Sequence, residues 1–74
     1  MKNQNEIIEE LLNENLKGTI VCRVQMKYLN ELLKVTPDEL KNNVMSSIGE
    51  IQDNIERYKK HNEILKSFIS NEKS

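Results

Sequence analysis

The sequence predicts an all-α fold: a short N-terminal helical hairpin packed on one long C-terminal helix. Three observations carry that expectation. Apolar residues recur at helical spacing through most of the chain, only Gly18, Pro37 and Gly49 can interrupt it, and a heptad pattern runs unbroken after Pro37. Within 74 residues there is room for one small domain and one core. A hydrophobic share of 36 % with a net charge of −1 exceeds what a disordered chain carries.

The first element expected is a helix over 5–17. Ile7, Ile8, Leu11, Leu12 and Leu16 share a face, and Glu6, Glu9 and Glu10 suit the positive end of a helix dipole. Asn3 and Asn5 are candidate N-caps, and Gly18 after Lys17 is placed to end the helix.

Residues 19–34 read as a second helix, with a strand over 19–26 as the open alternative. Thr19, Ile20, Val21, Cys22 and Val24 are crowded with side chains that suit a strand. From Tyr28 the pattern turns helical through Leu29, Leu32 and Leu33. A lone strand needs a partner, and no second strand is readable in the chain.

Thr36-Pro37-Asp38-Glu39 is the sharpest local signal. Thr36 can cap, Pro37 loses nothing by lacking an N–H, and Glu39 stands at the capping-box position. A third helix is therefore expected over 37–70. Val44, Ile48, Ile51, Ile55, Tyr58, Asn62, Leu65 and Ile69 step alternately by four and three, which is a heptad seam. Such a helix is about 50 Å long, while the two shorter ones cover roughly 20–25 Å each. The seam's C-terminal half would then lie bare in a monomer, so a homodimeric bundle or coiled coil is expected, with this seam as the contact. Asn62 inside it could set register. A break near Gly49, folding the last helix back, is the other arrangement.

The chain offers little chemistry. His61 and Cys22 are the single residues of their types and stand far apart, short of a zinc ligand set. The two glycines are too distant to form a phosphate loop. No catalytic, metal or cofactor residue is assigned, and an enzyme is not expected. No apolar run reaches the length of a membrane span, and no signal-peptide stretch is visible, so a cytoplasmic location is expected.

Charge alternates in blocks, negative before Lys17, positive to Val35, negative to Tyr58 and positive after it. Two DNA-binding patterns bear on this. Met26 to Val44 loosely resembles a phage-repressor helix-turn-helix, with Leu29 and Leu33 in the first helix, Lys34-Val35-Thr36 as the turn and Leu40 in the second. Asn30 and Lys34 depart from that pattern, and Asp38 and Glu39 would aim carboxylates at phosphate. If 19–26 is a strand, the chain instead resembles ribbon-helix-helix repressors, which implies Arg23, Gln25 and Lys27 as base-reading residues.

The leading expectation is a small non-enzymatic interaction protein, a regulator, adaptor or inhibitor that binds another macromolecule. An Asn-, Lys- and Ile-rich composition suits an AT-rich bacterial or phage genome, and a phage or mobile element fits. A dimeric DNA-binding repressor is the alternative. The partner face expected is Tyr58, His61, Leu65, Phe68 and Ile69, with Lys59 and Lys66 as a basic rim suited to an acidic surface.

Overall fold

Asn3 starts the first helix. Its side-chain oxygen accepts from the Glu6 amide at 2.9 Å, satisfying one of the donors a helix start leaves free. From there a computed structural model, which describes residues 2–73 and the side chains of 2–69, shows two long helices and no strand among those residues. Helix α1 runs Gln4–Val35, a 3₁₀ turn covers Asp38–Leu40, and α2 runs Lys41–Lys73. They lie side by side as an antiparallel hairpin with extents of 54 × 19 × 15 Å.

Two expected elements are thus one. The stop at Gly18 does not occur, and Gly18 stays helical without a positive φ. Its role is steric: the Tyr58 ring of α2 lies against it, where a β-carbon would collide with the ring and its hydroxyl. Residues 19–26 are helical too. The Thr19 hydroxyl donates to the Asn15 carbonyl at 2.9 Å, and Cys22 is buried against α2. The helix-propensity penalty of β-branched residues is below about 1 kcal/mol each, and tertiary packing outweighs it.

The hinge falls where the sequence places it, with different bonding. The Thr36 hydroxyl donates backwards, to the Leu32 carbonyl at 2.6 Å, so it closes α1 rather than capping α2. The expected capping box is absent, because Pro37 opens a 3₁₀ turn in which the Leu40 amide donates to the Pro37 carbonyl at 2.9 Å. An Asp38–Lys41 ion pair at 2.9 Å spans that turn. Gly49 neither breaks nor bends the chain out of α2.

The core is a single seam. On α1, Ile8, Leu12, Asn15, Thr19, Cys22, Met26, Leu29 and Leu33 step by four and three, and each is buried or half-buried. They meet the α2 series from Val44 to Ile69, of which Val44 and Leu65 are buried and the rest half-buried. Because α1 spans the whole seam, the expected bare half of α2 is covered within the chain.

The two glycines give opposite expectations. Nothing lies within 4 Å of a β-carbon built on Gly49, so Gly49→Ala should stabilise the hairpin by about 1 kcal/mol through helix propensity alone. A thermal melt should rise by about 4–8 °C. Gly18→Ala gains the same propensity but displaces Tyr58, and overpacking costs about 1–3 kcal/mol. Its melt should fall, and Gly18→Ala combined with Tyr58→Leu should recover. A rise for Gly18→Ala alone would mean that Tyr58 does not pack there.

Candidate functional site

At the third layer from the chain ends, polar groups replace apolar ones in the seam. Asn15 is buried, and its amide nitrogen donates to the Asn62 side-chain oxygen at 2.9 Å. The same nitrogen lies 3.2 Å from Nδ1 of His61. No buried side-chain polar atom among the described residues lacks a partner. This bond marks the register of the hairpin. In that register Leu12 is level with Leu65, Thr19 with Tyr58, Cys22 with Ile55 and Leu33 with Val44.

The residues expected to form a partner face are divided by this packing. Leu65 is buried, Tyr58 and Ile69 are half-buried in the seam, and His61 is exposed while engaged with Asn15. His61 and Phe68 each precede a seam residue, whereas Lys59 and Lys66 each follow one, so the pairs occupy opposite flanks of α2. Lys59 pairs with Glu56 at 3.5 Å. Arg23 and Lys27, four residues apart, are exposed on one side of α1 and Gln25 on another, and the ribbon that would align all three has no strand to form from.

The surface that sequence reasoning missed lies on α1. Each residue just before a seam residue sits about 100° around the helix from it. On α1 those positions include Ile7, Leu11, Val21, Tyr28 and Leu32, every one exposed, with Tyr28 at 61 %, and Val35, 79 % exposed at the end of α1, continues the spacing past the last seam residue. Glu14, Gly18 and Gln25 complete the series. The signal was present as a second four-three pattern, offset by one residue from the first, and the presumed break at Gly18 concealed it.

Between this stripe and α2 lies an open groove of about 450 Å³, lined by Gln25, Tyr28, Leu29, Leu32, Ser47, Glu50 and Ile51. Phe68 stands three heptads beyond Ser47 on the same flank of α2, and with exposed Ile64 it extends the apolar face to the far end. Asn54, Arg57 and His61 fill the middle of that flank with polar groups around a second hollow.

Among the described residues, no group of three His, Cys, Asp or Glu side chains is placed to hold a metal, and no helix is long and apolar enough to cross a membrane. The chain is an antiparallel two-helix hairpin with an exposed apolar stripe on α1 and further exposed apolar residues, Leu16, Ile20 and Met45, on the opposite flank. Comparison with known families, curated proteins and solved structures finds no match to it.

Proposed function

We propose that this chain is a non-enzymatic protein-interaction module, a small regulator, adaptor or inhibitor that acts by docking a helix along the outer stripe of α1. One observation carries the reading: apolar side chains at four-three spacing, exposed along nearly the whole of α1. Exposed apolar residues recurring along one helix stripe, interrupted only by Glu14, Gly18 and Gln25, mark an interaction site, and heptad spacing selects a helix as its occupant. Tyr28 is the aromatic anchor, beside the groove that Leu32 also lines. The polar residues with chemical potential are already committed within the fold, His61 to Asn15 and Cys22 to the seam. The composition fits a bacterial or phage origin and action inside the cell.

Val21→Asp with Tyr28→Asp tests this, since both side chains are exposed and the hairpin seam is untouched. The native chain, immobilised in a bacterial lysate to which tagged free chain has been added, should retain a defined protein, that chain or another, in a saturable way. The double variant, with its helical circular dichroism intact, should retain at least tenfold less, since 1.4 kcal/mol of lost contact already suffices for that factor. Equal capture by both would overturn the reading.

A further inference from the structure

We infer that the helix docked on the α1 stripe is α1 of a second copy, running antiparallel about a two-fold axis to form a four-helix bundle. The inference rests on the interaction-module reading and names the occupant of the same site.

The pattern of the stripe is self-complementary in one register. Glu14 and Gln25 are its two polar members, placed symmetrically about Gly18 and Val21. Setting Gly18 level with Val21 of an antiparallel second copy puts Glu14 level with the second copy's Gln25, Leu11 with its Tyr28 and Ile7 with its Leu32. These layers pair polar with polar and large apolar with large apolar, and set Gly18, under its own Tyr58 ring, beside the small Val21, while Val35 at the helix end falls level with the second copy's Gln4. The two-fold axis repeats each pairing. A slip of one heptad either way sets Glu14 against Leu32 or Gly18, and strands Gln25 against Val21 or Ile7. A parallel in-register pair would place Glu14 against its own copy, two like charges in one seam. At the centre of this register the Tyr58 ring already covers Gly18 within each chain, so the second copy's Val21 would pack against that ring.

The hairpin's own construction points the same way. None of the described side chains is fully buried, because two helices alone shield only one stripe of each other. The lone cysteine is free and within one chain has no partner to staple it. Domains of this size are commonly reinforced by disulfides, metals or oligomerisation, and oligomerisation is the route this surface supports. A second copy on the stripe lies about a quarter-turn around α1 from α2, which is the geometry of neighbours in a bundle. The antiparallel two-fold sets both α2 helices on one side, so the groove beside Tyr28 and Leu32 becomes interior.

Light scattering on the full chain at tens of micromolar should give twice the 8.7 kDa monomer mass, and Val21→Asp with Tyr28→Asp should halve it. Register is read separately by oxidation. Glu14→Cys mixed with Gln25→Cys should form a covalent heterodimer in several-fold greater yield than either variant alone, with Cys22 shielded in the seam. A monomeric native chain that still loses its lysate partner in the double variant would overturn the second copy and leave the interaction reading standing. Efficient self-crosslinking of Glu14→Cys would overturn the antiparallel register. A dimer whose mass and crosslinking ignore both substitutions would overturn the stripe as the contact. If the double variant unfolds, the cysteine mixture decides, because neither of its substitutions touches an apolar side chain.

Discussion

Leu65→Asp should abolish the fold. Leu65 is only 7 % exposed and lies level with Leu12 in the seam, so the substituted carboxylate has no partner and little access to water. Truncating a buried leucine to alanine costs about 2–5 kcal/mol, and an unpaired charge in the same place costs more. A domain of this size has roughly 4–11 kcal/mol of stability in all, by the usual allowance per residue. The substitution therefore removes most of it. Circular dichroism should show the helical signal largely lost at 25 °C, or a melt lowered by more than about 15 °C. The neighbouring residue supplies the control. Ile64 is 57 % exposed, so Ile64→Asp should change stability by no more than about 0.5–1 kcal/mol. Equal effects at both positions would mean that α2 does not present Leu65 to α1.

The contrast between adjacent residues shows what was legible in the sequence. The α2 seam could be read because five of its eight members are Ile or Leu and no residue after Pro37 stops a helix. Its counterpart on α1 has the same spacing but is written with Asn15, Thr19, Cys22 and Met26, which do not announce a core. Gly18 then divided it. A glycine after a lysine has the same local signature whether it ends a helix or makes room for a ring from elsewhere, and only Tyr58 distinguishes the two. The β-branched run from Thr19 to Val24 pulled the same way, since local preference cannot register a covering helix forty residues distant. Once α1 is continuous, the α2 seam no longer needs a second chain. The apolar surplus moves instead to the stripe one residue before the α1 seam. The polar Asn62 changes meaning as well: it answers Asn15 inside the hairpin rather than a copy of itself.

That Asn pair should act on uniqueness more than on stability. Asn15→Leu with Asn62→Leu replaces a satisfied polar layer by an apolar one of similar volume, and a polar Asn in a helical seam is held at a cost in stability. The double variant should melt higher than the native chain. What it loses is the polar pairing that favours the native register over a slipped one, because the other seam layers are mostly apolar and tolerate alternative pairings. Asn15→Leu alone should be worse than the double variant. It leaves the Asn62 oxygen without its donor, at a cost of about 1–3 kcal/mol where that oxygen stays shielded, and it frees Nδ1 of His61. A double-mutant cycle by chemical denaturation should therefore show coupling of at least about 1 kcal/mol between the two positions. Amide and side-chain NMR lines of Leu12 and Leu65 should stay single in the native chain and broaden or double in the Leu–Leu variant. Additive effects with sharp lines throughout would show that the amide pair neither couples the helices nor sets their register, leaving the Tyr58–Gly18 contact and the short Thr36–Pro37 connection to do so.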